Sequence, residues 1–178
     1  MTAGGEMDAR LREAIRSIPD FPKKGILFRD ITTLLKDKAA FAEAINSLAA
    51  RHMGKEIAKV VGMESRGFIL GAPLAYLLGA GFVPVRKKGK LPADTYSATY
   101  ELEYGTDHLE VHKDAVEPGE NIIIVDDLLA TGGTAAATIE LMKNFKANIV
   151  SVDFLIELTD LHGRDKLPGY EIFTLVTY

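Results

Sequence analysis

Asn121-Ile122-Ile123-Ile124-Val125-Asp126-Asp127-Leu128-Leu129-Ala130-Thr131-Gly132-Gly133-Thr134-Ala135-Ala136-Ala137 is the stretch whose reading decides the fold. Ile122 to Val125 form an unbroken β-branched run, the pattern of a strand covered on both faces in a parallel sheet. The acidic pair after Val125 predicts that the strand ends there, and ligands of such sheets bind beyond strand ends. Thr131, Gly132, Gly133 and Thr134 allow backbone N–H groups to approach a phosphate, helped by two hydroxyls and the positive end of the following helix. Asp126 and Asp127 repel phosphate but accept hydrogen bonds from vicinal hydroxyls, so the combination points to a sugar phosphate. Taken singly, Asp127 or Thr131 reads equally well as a helix cap. The loop lacks the Gly-Lys-Ser/Thr ending of a nucleoside triphosphate loop. No G-x-G-x-x-G occurs, and the nearest approach, Gly79 to Pro84, precedes a strand instead of opening a helix.

Working outward, Leu11, Ile15 and Ile18 share a helical face that Pro19 and Pro22 terminate, leaving Asp20 to Asp30 irregular. A second helix is capped by Asp37, carries Phe41, Ile45 and Leu48 inward and stops at Gly54. Strands are predicted at Ile57–Val61, Phe82–Val85, Ile122–Val125, Ile149–Leu155 and Ile172–Val176. The intervening helices are Phe68–Leu78 and one through Ile139, Met142 and Phe145. This alternation predicts an α/β fold, a mainly parallel five-stranded sheet flanked by helices with right-handed crossovers, in a single domain spanning 1–178. Residues 1–7, with Gly4-Gly5 among them, read as a frayed end. Residues 86–113 break the alternation. Arg86-Lys87-Lys88-Gly89-Lys90 is a basic loop that either covers an anionic ligand or is simply solvated. After it, Tyr100, Leu102 and Tyr104 alternate with polar residues up to a turn at Gly105-Thr106-Asp107, and Leu109 and Val111 continue the return strand, making a flexible hood hairpin.

A chain of 178 residues, 47% apolar and 26% charged, suits one globular core. A net charge of -4 argues against general nucleic-acid affinity. With no Cys, disulfides, thiolate nucleophiles and cysteine metal sites are excluded, and the four His show no zinc-type spacing. No run is apolar and long enough to cross a bilayer and Met1 to Met7 carry no export signal, so a cytoplasmic protein without membrane partners is expected.

Four apolar residues, an acidic pair and a loop ending Thr131-Gly132-Gly133-Thr134 resemble the phosphoribosyl-diphosphate motif of the type I phosphoribosyltransferases. Phe21 to Ile31 (FPKKGILFRDI), Glu64-Ser65-Arg66-Gly67-Phe68, the RKKGKLP loop Arg86 to Pro92 and Leu102-Glu103-Tyr104-Gly105 resemble the adenine-using branch of that family. The resemblance, from about Phe21 to Tyr178, implies a purine salvage enzyme. It would transfer the phosphoribosyl group of 5-phosphoribosyl 1-diphosphate to adenine, giving AMP and diphosphate with Mg2+ carried mainly by the diphosphate and no metal ligands of its own. It implies that Asp126 and Asp127 hold the ribose hydroxyls, and Ala130, Thr131, Gly132, Gly133 and Thr134 the 5-phosphate. Glu64, Ser65, Arg66 and Gly67 resemble the family's diphosphate loop, and Arg66, Arg86, Lys87 and Lys90 are the candidates to meet the diphosphate, with structural ion pairing as the competing role of each cation. Leu27, Phe28 and Arg29 resemble the base pocket, Phe28 being otherwise plain core, with Leu158 as its opposite wall. Glu103 is the candidate acid-base residue, otherwise a solvated strand position, with Tyr104 beside it. A homodimer is implied. A phosphoribosyltransferase for xanthine, guanine or hypoxanthine, and a phosphoribosyl-diphosphate-sensing regulator, are the alternatives.

Overall fold

The computed structural model describes residues 3–101 and 106–178. In chain order the elements are α1 (Ala3–Ala14), β1 (Arg16–Pro19), β2 (Leu27–Asp30), α2 (Thr32–Lys36), α3 (Lys38–His52), β3 (Lys59–Met63) and α4 (Gly67–Leu78). They continue with β4 (Gly81–Lys87), β5 (Thr95–Glu101), β6 (Thr106–His112), β7 (Asn121–Leu129), α5 (Gly133–Lys143), β8 (Asn148–Glu157) and β9 (Ile172–Thr177), with two 3-10 segments, Thr159–Leu161 and Gly163–Lys166, between the last two. The large sheet has strand order β5-β6-β4-β3-β7-β8-β9. Its β4-β3-β7-β8-β9 portion is parallel, as the alternation of strands and helices predicts.

Period-two alternation builds a core on each face of this sheet. Ile123 and Val125 of β7 join Val60, Leu70 and Leu74 under α3 and α4, while Ile122 and Ile124 join Val61, Val85 and Leu141 under α5. All four β7 side chains are fully buried, each contributing about 1.5–3 kcal/mol, so the strand feeding the loop is firmly held. Neighbouring β3 leads to β4 on one side and has β7 on the other, which places a topological switch point, and hence a crevice, between the carboxyl ends of β3 and β7.

Several expectations need correction. The first helix stops at Ala14. Ile18 lies in β1, which pairs antiparallel with β2 in the register Ile18↔Phe28, so the end of the stretch read as helix and the end of the segment read as irregular form a second, two-stranded sheet. Pro19 closes a strand there, where its missing N–H is tolerated. The helix also begins at Ala3, inside the stretch 1–7 read as frayed. β7 runs four residues past Val125, because Asp126, Leu128 and Leu129 pair in register with Phe154, Ile156 and Glu157 of β8. The hairpin is part of the main sheet, making seven strands where five were expected. Arg86 and Lys87 pair with Glu110 and Leu109, and Thr106 and Asp107 belong to β6 instead of a turn. Phe145 follows the end of α5 but still packs in the core beneath it.

Candidate active site

At the switch point, β3 delivers Glu64 to Arg66 and β7 delivers the acidic pair. The Glu64–Ser65 peptide is cis. Gly67 opens α4 against β7 so closely that a Cβ would stand 2.8 Å from the Val125 carbonyl oxygen and 3.0 Å from Asp126 Oδ1. Arg66 consequently reaches across, its Nε donating to Asp127 Oδ2 at 2.5 Å. Asp126 Oδ1 accepts the Asp127 amide at 2.8 Å. Burial first, and then the like charge of Asp127, pushes the Asp126 carboxyl well above the usual carboxylate range. A donor arriving between the two acids relieves both penalties, and vicinal hydroxyls are such donors.

Beyond the pair, Ala130 to Thr134 wrap a cavity of about 200 Å³ that is also lined by Arg66, Asp126, Asp127 and Phe154. Gly132 caps α5 in the left-handed conformation (φ 79°), where a side chain is strained, and no side chain caps the helix. Its first amides are thus left for a ligand, and no acid stands in the first turn to oppose an anion. The loop rests on the turn after β8. A Cβ on Gly132 would collide with the Gly163 carbonyl, and one on Gly163 with that of Ala130. The turn is held by a bidentate pair, Arg164 to Glu157, at 2.6 Å on both oxygens, which keeps the Glu157 carboxyl below its ordinary range.

A second cavity, of about 320 Å³, is lined by Ile18, Phe21, Phe28, Arg29, Asp30, Ile31, Thr32 and Arg66. Phe21 and Phe28 meet edge to face at 5.1 Å. Asp30 closes one end. Hydrogen bonds from Arg16 and then Thr32 lower its pKa to about 2. The Arg29 guanidinium lies 3.6 Å from the centre of the Tyr178 ring and donates to Ser17 Oγ at 2.5 Å, so it is tied to β1 and the carboxyl end of the chain. Arg66 lines both cavities.

The basic loop sits beside Arg66. Glu64, nearly buried, accepts the Lys87 amide at 2.9 Å and the Lys90 ammonium, and Arg86 Nε is 3.4 Å away. Burial pushes its carboxyl up, but Lys90, the Lys87 amide and Arg86 together outweigh that and hold it below the usual value. Lys87 Nζ pairs with Asp107 Oδ2 at 2.8 Å, which raises the lysine pKa, and the Tyr100 hydroxyl donates to the same oxygen at 3.3 Å.

Residues 32–174 match the phosphoribosyl transferase domain family. The adenine phosphoribosyltransferase of Halothermothrix orenii is 58% identical over 166 residues, covering 93% of this chain and 98% of the relative. The crystal structure of the adenine phosphoribosyltransferase from Thermoanaerobacter pseudethanolicus is 55% identical and superposes with a TM-score of 0.91 over 96% of this chain and 99% of the other. The Saccharomyces cerevisiae enzyme, solved with adenine and an imino-altritol bisphosphate, is 43% identical with a TM-score of 0.92, covering 96% and 99%. The chain belongs to the adenine phosphoribosyltransferases.

Within this adenine phosphoribosyltransferase fold, the structure gathers Arg66, Asp126, Asp127 and Ala130 to Thr134 around one cavity and Phe28, Arg29 and Arg66 around the other. Arg86, Lys87 and Lys90 lie beside them, each paired with a carboxylate, Arg86 and Lys90 with Glu64 and Lys87 with Asp107. Leu27 is about half exposed and lies outside the walls of both cavities, as does Leu158, which packs against the core. Glu103 and Tyr104 lie outside the described residues. Sequence reasoning missed Ile18, Phe21, Asp30, Ile31 and Thr32 as pocket walls, and Gly163 as the support of the Ala130–Thr134 loop. Ile18 follows Ile15 by three positions, a helical spacing, so nothing local marked it as part of a strand. Gly163 had none, since its partner is thirty-one positions away in sequence.

Proposed function

We propose that the two cavities take the two halves of one reaction: 5-phosphoribosyl 1-diphosphate and adenine react to give AMP and diphosphate. The carrying observation is Arg66, shared by a polar cavity with an uncapped helix start and by a mainly apolar aromatic pocket. The 5-phosphate lies on the Ala130–Thr134 amides and the ribose hydroxyls on Asp126 and Asp127. The diphosphate meets Arg66, Arg86, Lys87 and Lys90. Adenine enters against Phe28. β2 pairs with β1 along one edge, and its other edge has backbone C=O and N–H groups matching the amino donor and ring acceptor of adenine, in a segment from Leu27 to Arg29.

As the C1–O bond breaks, the ribose gains oxocarbenium character and the diphosphate gains charge. Positioning and electrostatic stabilisation therefore dominate the chemistry. Each cation is already held near the crevice by a carboxylate, Arg66 by Asp127 and Lys90 by Glu64, so little ordering remains when the ligand arrives. Glu103 is assigned, on the family motif alone, to proton exchange at the imidazole edge of the base, with Tyr104 beside it. Among the described residues no group of three or more His, Asp or Glu gathers to hold a metal. The acids that line the cavity, Asp126 and Asp127, fit a Mg2+ that arrives on the diphosphate, whose leaving-group charge it would neutralise.

The exposed Ile69, Tyr76 and Leu77 lie at i, i+7 and i+8 on α4, a helical face that supports a homodimer. Among the described residues no helix is long and apolar enough to cross a membrane. A cytoplasmic location, in keeping with a chain free of cysteine, completes the reading. Parallel assays with phosphoribosyl diphosphate and Mg2+ against adenine, hypoxanthine, guanine and xanthine test it. Adenine should exceed every 6-oxopurine by at least tenfold in kcat/KM, because the reversed donor and acceptor of an oxo base leave groups unpaired. Comparable use of hypoxanthine would overturn the assignment of the base.

A further inference from the structure

The basic loop leaves the sheet in two steps. Lys88 still donates its amide to the His108 carbonyl at 3.1 Å, extending the β4–β6 ladder by one rung. Gly89 then turns into the left-handed conformation, φ 79°, and its amide has no strand partner to meet. It donates instead to the side chain of Glu110, Oε2 at 2.9 Å. Glu110 stands opposite Arg86 in the β4–β6 register and is only 8% exposed, unusual for a carboxylate beside a solvated loop. A side chain here takes over from the backbone ladder where the chain departs. The departure angle it fixes carries Lys90 back to Glu64, with the Lys90 carbonyl 3.4 Å from Arg86 Nη1.

We infer that Glu110 is a positioning residue for diphosphate: by holding the Gly89 amide it sets the shape of the basic loop, and so places Lys90 and Arg86 where the departing diphosphate is bound. This rests on the reading of that loop as the diphosphate site. Glu110 itself meets no substrate. Its charge is secondary to its acceptor oxygen, because the partner is a neutral amide. The role differs from that of Glu64, which holds the cations directly, and from that of Asp107, which pairs with Lys87 on the α5 side of β6.

The test compares Glu110→Ala, Glu110→Gln and the parent by calorimetric binding of inorganic diphosphate with Mg2+ and, separately, of AMP, together with steady-state kinetics. Glu110→Ala should weaken diphosphate binding and raise KM for phosphoribosyl diphosphate about tenfold, the order expected for losing one buried hydrogen bond that anchors a loop. AMP affinity, which does not involve the diphosphate subsite, should stay within twofold, and kcat within about threefold. Glu110→Gln keeps an acceptor oxygen and should restore diphosphate binding to within threefold of the parent.

Parent-like diphosphate binding by Glu110→Ala would overturn the inference. So would equal losses of AMP and diphosphate, which mark a general structural defect, or a Gln variant as impaired as the Ala variant. Should Glu110→Ala fail to fold, Glu110→Asp, one methylene short of Gly89, must show the same diphosphate-selective loss. A parent that binds AMP but not diphosphate would remove the underlying site assignment itself, an outcome distinct from failure of the Glu110 role.

Discussion

The two cavities that share Arg66 are made in opposite ways. The phosphate side is mostly backbone, presented by a strand whose side chains are fully buried and by a helix start, and braced from behind by Gly163 and the Arg164–Glu157 pair. The base side is walled by side chains, Ile18 and Phe28 on a two-stranded sheet separate from the main one and Phe21 and Ile31 flanking it. Backbone recognition needs small residues at fixed positions and tolerates almost no change. A side-chain pocket tolerates replacement at graded cost. The comparison therefore predicts lesions of different size and different kind on the two sides of Arg66.

The largest effect is expected at Gly132. Gly132→Ala puts a Cβ into both a left-handed backbone and the Gly163 carbonyl, so the loop must shift away from the phosphate. Affinity for AMP and phosphoribosyl diphosphate should fall about 10²-fold or more, with a stability loss of about 2–4 kcal/mol. Binding titrations alongside urea unfolding separate the two. If KM for adenine rose as steeply as that for phosphoribosyl diphosphate, the two sides would not be separable. Gly133 lacks the left-handed conformation and should tolerate alanine better, so the pair of variants refines the assignment within the loop.

The same contrast explains what could be read from the sequence. A buried strand, two acids and a Gly-Gly loop are contiguous, so Asn121 to Ala137 announced the parallel sheet and the phosphate side together. The acids misled only about length. Asp126 and Asp127 look like the end of a strand, yet β8 provides register partners through Leu129, and neighbouring-strand pairing outweighs local polarity. The base side was recognisable by resemblance at Phe28 but not as architecture. Leu11, Ile15 and Ile18 fit a helix by spacing, and only the partner strand Leu27–Asp30, whose Phe28 pairs with Ile18 from ten residues away, decides that Ile18 belongs to a strand. Glu110 offered a still weaker signal, since a polar residue on an alternating strand is normally solvated.

Asp126 sharpens the comparison from the phosphate side. Its carboxyl pKa lies above the unfolded value, so the cost of holding it ionised appears as pH rises above about 3.8 and levels off above the folded value. Asp126→Asn should therefore stabilise the ligand-free protein at neutral pH, with the gain disappearing at low pH, while kcat/KM falls about tenfold through the lost ribose acceptor. Denaturation midpoints across pH would show it, and a variant less stable than the parent at pH 7 contradicts the buried-charge account.

On the base side, Phe28→Ala should raise KM for adenine about tenfold by removing an aromatic wall, leaving KM for phosphoribosyl diphosphate within twofold. Equal changes in both constants would show that the aromatic pocket is not dedicated to the base. The smallest effect concerns Asp30. With its pKa lowered to about 2 from 3.8, it contributes stability that is fully present above about pH 4 and is lost as pH falls toward 2. The contribution should be about 1 kcal/mol, because its partner Arg16 is more than half exposed and screened. Asp30→Asn should flatten that part of the acid-unfolding curve; an unchanged curve would remove the Arg16–Asp30 pair from the account of how β1 and β2 are held.

The central claim is that the two cavities receive two parts of one nucleotide, and calorimetry of AMP, ribose 5-phosphate and adenine on the same preparation tests it most directly. AMP should bind at least tenfold more tightly than ribose 5-phosphate, since only AMP fills both sides, and Phe28→Ala should remove most of that advantage while leaving ribose 5-phosphate unaffected. Equal affinities for AMP and ribose 5-phosphate, unmoved by Phe28→Ala, would contradict the claim and leave the aromatic cavity without a part in the reaction.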